Sequence, residues 1–491
     1  MRATLKEAYK LFHDGSLALA EMEHNGIRID TEYLDSISRE TGERIASLST
    51  KLKAHEIAQL WRRSYASDRL NMSSRVQLAE VLFLPKGKGT QPLAKYPWGN
   101  QVTKSGRMRT DEETLRKVNL PFVNDWLEWY QIKDFKKKYL DGLKEETVDG
   151  YVHPFFHLTS SGKDDEKGGA RSYRSSSSAI NIQNQLNRVE EWAQKIRRCF
   201  IAREGRRVIF RDMAGHEFRI ASSIWEDPEM IRYASDPTLD IHRDTASEML
   251  LCKKKQVTKL VRHNVGKNGF VFPHLYGSWW KEVARKVWLK LPTLELTDGT
   301  SCLDHLRSKG ITELGNCNTK LREEPKQGTF EHVVRQVERD FDAKFSTFRK
   351  HADEFYQDYR RNAGFPLVTG FWCDGLYSKN QVLNTPVQGP SFHIVLWSCI
   401  EINKELKRKK MKRTCTVAEI HDEVISDTHD NEVQDYMNLS ERIMTKDVVK
   451  AMPWITCPLA TEASVTPIEG AWSEKEPWVE VDGIWAPKNS R

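Results

Sequence analysis

Three carboxylates lie within or directly after apolar, β-rich runs of this sequence. Asp212 comes shortly after RVIF (207–210), and Asp422 and Glu423 lie inside AEIHDEVI (418–425). Burying acids in a strand is costly unless cations or partners compensate them. If the two runs are adjacent strands, their carboxylates can hold two divalent cations about 4 Å apart, which activate one oxygen and stabilise another. The alternative is that each acid is solvated at a strand end.

A second set of candidates combines cations with aromatic rings. Arg262, His263 and Lys267 precede Phe272 and Tyr276 in a stretch that reads as helix. In an α-helix Arg262 and Lys267 would lie about 140° apart and form a broad basic flank, whereas Phe272 and Tyr276 would share one face. Cations for a triphosphate beside rings for a base would make a nucleotide-binding helix. An amphipathic core helix with a basic flank is the alternative.

Hydroxyl and amide side chains form a third set. Such groups bind phosphate and sugar oxygens without reading base identity. They are Arg174, Ser175 to Ser178, Asn181, Gln183 and Asn184, followed much later by Asn384, Gln388 and Gly389. Taken alone, the first group also fits a polar surface loop.

The elements that would position these residues can be predicted from local patterns. Apolar spacing predicts helices over 16–53, broken at Asn25-Gly26 and followed by an extended piece at 27–30. A mobile loop is expected over 84–109, and a helix opened by the acidic residues of 110–113 is expected after it. A further helix is expected over 122–146, then a polar segment over 160–184. The acid-bearing strands are separated by about 200 mainly helical residues, including 259–288 and 330–361.

Composition allows this organisation and excludes several others. The 491 residues, of which 39% are hydrophobic and 30% charged, allow roughly three packing units. The net charge of +7 and the 15 Trp permit a nucleic-acid partner without requiring one. Eight scattered Cys without a CxxC pair indicate reduced, mostly buried thiols. The N-terminus lacks a signal peptide and no window reaches 18 apolar residues, so a cytosolic protein is expected.

Several segments, taken in order, resemble the polymerase module of family A DNA polymerases, the group that includes bacterial DNA polymerase I and many phage replicases. The resemblance covers nearly the whole chain. ALAEMEHNGIRID (18–30) is similar to the start of that module. The remaining segments are NMSSRVQLAEVLF and TKSGRMRTDEETL for the thumb, DGYVHPFF and RSSSSAINIQN before the palm, RDMAGHEFR for the first acidic motif, DIHRDTA (240–246) for a fingers motif, RHNVGKNGFVFPHLYG for the nucleotide-binding helix, and NTPVQG and IHDEV at the end.

The resemblance implies an α+β, right-hand fold with a thumb, a palm carrying an antiparallel sheet, and mostly helical fingers. It divides the chain into successive parts. These are the start of the module at the palm and thumb edge (1–30), the thumb (31–145), the first part of the palm (146–225), the fingers (226–379) with an insertion at about 278–345, and the second part of the palm with the C-terminus (380–491).

The resemblance also assigns roles. Asp212 and Asp422 become the ligands of two metal ions, with Glu423 as a supporting acid, and Glu217 becomes the steric gate that crowds the 2′-hydroxyl of a ribonucleotide. The triphosphate contacts are His242, Arg262 and Lys267, the last placed to protonate or neutralise the pyrophosphate. Phe272 would stack on the incoming base and Tyr276 would close the pocket. The residues expected along primer and template are Arg174, Asn181, Gln183, Asn384, Gln388 and His421.

Some positions depart from the family pattern. Ala214-Gly215 stands where the family has Ser-Gln, and Asn380 replaces a basic residue four positions before Asn384. In the nucleotide-binding segment the family has Arg four residues before Lys and Tyr eight after it. Here these spacings are five and nine, and the residues in strict register are Asn264 and Asn268.

The implied activity is template-directed DNA polymerisation with dNTPs, primer-template DNA and two Mg²⁺ ions, for which Mn²⁺ can substitute. We expect a monomer without a membrane partner that serves phage replication in the host cytoplasm. Because the chain begins within about 15 residues of the polymerase start, no exonuclease is expected in it, and proofreading would need a separate protein. A processivity factor is a further expected partner. The alternatives are a single-subunit RNA polymerase, a silent primer-template binding protein and, less favoured, a two-metal nuclease.

Overall fold

A computed structural model of the chain describes residues 3–85, 91–97, 99, 102–103, 105–159, 172–184, 190–318 and 323–489. The predicted loop over 84–109 and the polar segment over 160–184 therefore lie partly outside the described residues. Within 172–184 the chain forms a short strand and one turn of 3₁₀-helix, Ile182–Asn184.

Short strands and many helices alternate along the chain. The strands are β1 (Ile27–Ile29), β2 (Tyr151–Val152), β3 (Phe155–His157), β4 (Ser176–Ser178), β5 (Phe200–Ile201), β6 (Arg206–Met213), β7 (Gly364–Pro366), β8 (Trp372–Asp374), β9 (Thr414–Ile420), β10 (Glu423–His429), β11 (Thr461–Val465), β12 (Glu476–Val481) and β13 (Ile484–Pro487).

The helices before the first acidic strand are α1 (Leu5–Asn25), α2 (Thr31–Ala54), α3 (Glu56–Ser64), α4 (Arg75–Phe83), α5 (Glu112–Val118), α6 (Pro121–Phe135), α7 (Gly142–Glu146) and α8 (Glu190–Arg198). Those between the acidic strands are α9 (His216–Trp225), α10 (Pro228–Ser235), α11 (Ile241–Met249), α12 (Lys259–Val261), α13 (Phe272–Leu275), α14 (Trp280–Trp288), α15 (Cys302–Ser308), α16 (Phe330–Lys344), α17 (Ser346–Asn362) and α18 (Lys379–Arg408). The last helices are α19 (Val433–Arg442) and α20 (Val448–Ala451), and π-helical turns occur at Lys136–Asp141, Arg262–Val271 and Ile443–Asp447.

Capping residues determine where helices begin, and one predicted start was wrong. The first helix begins at Leu5 and not near residue 16, because Thr4 and Glu7 form a reciprocal capping box. The helix predicted to open within 110–113 is confirmed: it begins at Glu112, and its N-cap Asp111 accepts the backbone N–H of Thr114 with its side chain. The predicted break at Asn25-Gly26 and the extended piece after it are confirmed as β1.

The central sheet is antiparallel and has the order β13-β12-β11-β6-β10-β9. β6 lies in its middle, with β10 and β11 on either side. The prediction that two adjacent strands carry the acids is confirmed. The run 418–425 is not one strand, however, because it divides into β9 and β10 around a turn at 421–422.

Two large apolar clusters support the architecture. One fills the N-terminal helical unit around Trp61, Phe122 and Trp126, and the other joins the sheet to the helices inserted between its acidic strands. All eight Cys are free, and six of them are buried, as predicted. No helix in the described part of the chain is long and apolar enough to cross a membrane.

Candidate active site

The sheet register brings carboxylates from three strands side by side. Asp212 at the end of β6 lies directly opposite Glu423 on β10 and directly opposite Glu462 on β11. Asp422 is in the turn before β10, where its carbonyl oxygen accepts the backbone N–H of Met213 at 3.1 Å. The predicted convergence of Asp212, Asp422 and Glu423 is therefore observed.

The electrostatics of this cluster favour a bound cation. Burial, together with the nearby carboxylates of Asp422, Glu423 and Glu462, raises the pKa of Asp212 to about 8. Burial also raises the pKa of Glu423, which Lys475 opposes from 3.2 Å. Divalent cations would relieve the repulsion that one lysine leaves in place.

The chemistry of the carboxylate oxygens also fits Mg²⁺, although among the described residues no group of three or more His, Cys, Asp or Glu side chains is arranged to hold a metal ion. Mg²⁺ characteristically takes one or two carboxylates and fills its other positions with water and substrate phosphates. Asp212 and Asp422 match that requirement.

His421 and Asp422 form a two-residue hairpin turn. His421 has a φ of +63°, as the first central residue of a type II′ turn does. The predicted continuous strand would have placed alternate side chains of 420–423 on opposite faces of the sheet. The turn instead puts Asp422 at the end of the hairpin, next to the end of β6.

Glu217 connects α9, the helix that follows β6, to the segment that carries Phe272 and Tyr276. The Tyr276 hydroxyl donates to Glu217 Oε2 at 2.9 Å, and Arg174 forms an ion pair with Glu217 Oε1. Burial, followed by the nearby Glu217 carboxylate, raises the pKa of Tyr276. The rings of Phe272 and Tyr276 lie 6.0 Å apart and are tilted by only 8°, which confirms their shared face.

The basic part of this segment is a π-helix, Arg262–Val271. A π-helix bonds residue i to residue i+5, so side chains five apart face the same way. His263 and Asn268 show this directly, with Nε2 and Nδ2 2.9 Å apart. Arg262 and Lys267 therefore share a face, and the broad flank predicted from α-helical geometry was wrong. The wider turn of the π-helix accommodates the one extra residue that the chain has between Arg262 and Lys267, compared with the family spacing.

The π-helix rests on α11. Gly266 faces the carbonyl oxygen of His242 so closely that a Cβ there would lie 1.8 Å from that oxygen. Arg262 Nε donates to Oδ2 of Asp240, two residues before His242, at 2.6 Å. Burial, followed by the charge of Arg262, lowers the pKa of His242 to about 3, so its imidazole is neutral. Its buried Nδ1 has no hydrogen-bond partner in the described part of the chain.

The residues expected to line DNA fall into two groups. Arg174, which pairs with Glu217, also donates from Nε to the Gln388 carbonyl oxygen at 3.4 Å. Asn384 is four residues before Gln388 on α18 and carries a buried Oδ1 with no partner among the described residues. His421 is exposed in the turn beside Asp422.

Gln183 and Asn181 are engaged by the protein itself. Gln183 Nε2 donates to Glu419 Oε1 at 2.6 Å and to Ser175 Oγ at 2.7 Å. Asn181 Oδ1 accepts from Ser177 Oγ and from the backbone N–H of Asn184, and its residue lines a cavity of about 220 Å³ beside Tyr139 and Gly142.

Four side chains of the site were not predicted from the sequence. Glu462 is on β11, where the sheet register places it opposite Asp212, and Lys475 directly precedes β12 and pairs with Glu423. Glu419 lies three residues before Asp422 in sequence, and its side chain is fully buried. His216 is buried next to Glu217, with Nε2 2.9 Å from the Ser391 carbonyl oxygen. An acid within the β-rich TEASV run was the only available hint for Glu462.

The sequence model of DNA polymerase family A matches residues 31–294 and 375–470, which is well over half of the chain. The chain belongs to DNA polymerase family A. Its relatives include DNA polymerase I of Chloroflexus aurantiacus, which is 25% identical over 94% of this chain and 42% of the relative. The thermostable DNA polymerase I of Thermus aquaticus is 31% identical over 50% of this chain and 27% of the relative. The chain thus spans less than half the length of these relatives.

A solved structure supports the fold of this family A chain. The polymerase domain of Pol1 from M. smegmatis, in complex with DNA primer-template and dNTP, superposes with a TM-score of 0.68 at 22% identity. The match covers 94% of this chain and 70% of that one. The predicted α+β, right-hand polymerase fold is therefore confirmed.

Proposed function

We propose that this chain is a DNA-directed DNA polymerase that adds deoxynucleotides to a primer 3′ end in the order set by a template. One observation carries the proposal. The hydrogen bond from Tyr276 to Glu217 joins the basic and aromatic segment to α9, the helix that directly follows the Asp212-bearing strand β6. Groups suited to a triphosphate, a base and a pair of cations would thus surround one space, as nucleotidyl transfer requires.

Asp212 and Asp422 would hold two Mg²⁺ ions, with Glu423 and Lys475 fixing the charge around them. Such ions lower the pKa of the primer 3′-hydroxyl and stabilise charge on phosphate oxygens. The protein supplies two converging carboxylates, and the rigid sheet register fixes the position of Asp212 opposite Glu423. The ion pair between Glu423 and Lys475 offsets part of the negative charge of the cluster.

The π-helix would bind the triphosphate. Arg262 and Lys267 project from one face and neutralise phosphate oxygens, and Lys267 holds a proton at Nζ for the departing pyrophosphate. Its Nζ lies 5.6 Å from the centre of the Phe272 ring, which limits where that charge can move. His242 would contribute a neutral imidazole, since its pKa of about 3 keeps it uncharged.

The remaining roles concern the base, the sugar and the primer. Phe272 would stack on the incoming base and Tyr276 would close the pocket behind it. Glu217, held in place by Tyr276 and Arg174, would occupy the space of a ribose 2′-hydroxyl and favour deoxyribonucleotides. The residues along the primer and template would be Arg174, Asn384, Gln388 and His421. Gln183 and Asn181 would contribute indirectly, because their hydrogen bonds hold the segment 175–184 in place.

The domain boundaries given above are part of this proposal, with residues 31–145 as the thumb and 226–379 as the fingers. Primer-template DNA and dNTPs are the proposed partners, and Mg²⁺ or Mn²⁺ the proposed cofactor. A monomer, a phage replication role in the host cytoplasm, and a separate exonuclease or processivity factor stay predictions.

Primer extension tests the proposed function. A labelled primer on a longer template would be incubated with Mg²⁺ and one nucleotide at a time. We expect extension only by the dNTP complementary to the next template base, and little extension by the matching rNTP. Extension that ignores the template, or equal use of rNTPs, would contradict the proposal. Cleavage of the DNA without extension would favour the nuclease alternative.

A further inference from the structure

Helix α16 lies in the stretch 295–374, which the family model leaves unmatched. It nevertheless packs directly on the nucleotide-binding segment. The Phe341 ring lies 5.5 Å from the ring of Phe270 and 5.2 Å from the ring of His274. All three side chains are buried. A part of the chain outside the family match therefore supports the site.

His274 is the polar centre of this contact. Its side chain is 3% exposed and lies between Phe272 and Tyr276 in sequence. Its Nε2 donates to Asp342 Oδ1 at 2.7 Å, and its Nδ1 lies 3.8 Å from Glu338 Oε1. Glu338 and Asp342 are four residues apart on α16 and so share a face. A buried polar ring with two carboxylate neighbours is costly to leave without partners.

The same helix also fixes the chain on the far side of Tyr276. Glu338 Oε1 accepts the backbone N–H of Trp280, the first residue of α14, at 3.0 Å. Arg335 pairs with Glu338, and Arg349 lies 3.6 Å from Asp342, so both carboxylates are themselves held. α16 thus holds the chain at 274 and at 280, on either side of the residue that bonds to Glu217.

We propose that the His274–Asp342 hydrogen bond positions the rings of Phe272 and Tyr276 for the incoming nucleotide, so that α16 sets the affinity for dNTP. This inference rests on the proposed function. The bond touches neither the acids nor Lys267, so it acts on nucleotide binding and not on the chemical step. Loss of Asp342 should raise the KM for dNTP and leave kcat nearly unchanged.

Single-nucleotide extension separates these two effects. Asp342→Ala should raise the KM for the correct dNTP about tenfold or more, with kcat within about twofold of the wild type. Asp342→Asn keeps an oxygen that can accept from Nε2, so it should restore KM to within about threefold. Asp340→Ala is the matched control, because Asp340 is on the same helix but exposed and bonded to Gln336. It should change neither parameter.

Hydrogen exchange of the free protein gives a readout that needs no activity. In Asp342→Ala the amides of 270–277 should exchange about tenfold faster, and those of the control should not. An unchanged KM in Asp342→Ala, or an equal change in Asp340→Ala, would overturn the inference. A loss of kcat without a change of KM would do so as well. If the wild type extends no primer, the proposed function and the nucleotide role both fall, whereas the exchange result still reports whether α16 holds the segment.

Discussion

The hydroxyl of Tyr276 donates to Glu217 Oε2 at 2.9 Å, which links the segment after the π-helix to α9, the helix that follows β6. Arg174 binds the other oxygen of the same carboxylate and the carbonyl of Gln388. Glu217 is thus fixed from two sides before any nucleotide is present. A carboxylate held in this way can exclude a substituent by its position as well as by its charge.

Substitution of Glu217 tests whether its size excludes ribonucleotides. Glu217→Ala should reduce the ratio of kcat/KM for dNTP over rNTP by about 10- to 100-fold, since the space of the 2′-hydroxyl becomes free. Glu217→Gln keeps the volume and should retain most of the selectivity. The measurement is steady-state incorporation of matched dNTP and rNTP. Equal selectivity in Glu217→Ala and the wild type would contradict a steric role.

The proposed function makes Lys267 the basic residue of the π-helix that faces the departing pyrophosphate. Lys267→Ala should lower kcat by about 10²- to 10⁴-fold, as expected for loss of a general acid. Asn268→Ala, which removes only the contact with His263, should change kcat by less than about threefold. Rapid-quench extension at saturating dNTP measures both. A larger loss in Asn268→Ala would show that the family's strict spacing holds in place of the π-helical one.

Buried Glu419 makes stability depend on pH. Burial raises its pKa from 4.5 to about 7, although Ser175 and Gln183 donate to its Oε1, and its Oε2 has no partner among the described residues. The folded protein therefore keeps a proton that the unfolded chain loses. The stability linked to this proton is fully present below about pH 4.5 and falls, by about 3 kcal/mol in total, as pH rises through about 7.

Glu419→Gln imitates the protonated side chain and should remove this dependence. At pH 8 its free energy of unfolding should exceed that of the wild type by up to about 3 kcal/mol, and at pH 4.5 the two should agree. Chemical denaturation at several pH values measures the difference. A constant offset between the two proteins at all pH values would contradict a protonated Glu419.

The contact of Gly266 with α11 leaves no room for a side chain. Gly266→Ala would place a Cβ 1.8 Å from the His242 carbonyl oxygen, so the π-helix must move. We expect a loss of about 1–3 kcal/mol of stability together with weaker dNTP binding. Gly142→Ala is the control, since nothing lies within 4 Å of its Cβ position and it should be neutral or slightly stabilising. Thermal unfolding compares the two. Equal stability would show that α11 and the π-helix separate easily.

Local patterns were sufficient for the acid-bearing strands and for the aromatic face. The apolar run before Asp212 marked β6, and the i, i+4 spacing of Phe272 and Tyr276 gave their stacking. In contrast, the hairpin at His421 depends on a left-handed residue that is not a glycine, and the run around it reads as one strand. Periodicity alone does not reveal such a turn.

Long-range pairing and altered helical geometry account for the remaining differences. Glu462 and Lys475 meet the acids only through the register of β11 and the C-terminal strands, which no local pattern specifies. The chain has one residue more between Arg262 and Lys267 than the family pattern has between its Arg and Lys. α-Helical spacing does not accommodate this residue, whereas the π-helix does. The family resemblance predicts Gln183 along the DNA, but no local pattern could reveal its hydrogen bond to Glu419, which is 236 residues away in sequence.

The most direct test of the central claim is single-turnover extension by Asp212→Asn and Asp422→Asn, measured beside their binding of primer-template DNA. Asp430→Asn is the control, because Asp430 follows the opposite end of β10 and pairs with Arg207. We predict that both substitutions of the converging carboxylates reduce the rate of extension by at least about 10³-fold while DNA still binds, and that the control behaves as the wild type. Extension at the wild-type rate by either Asp212→Asn or Asp422→Asn would contradict the account.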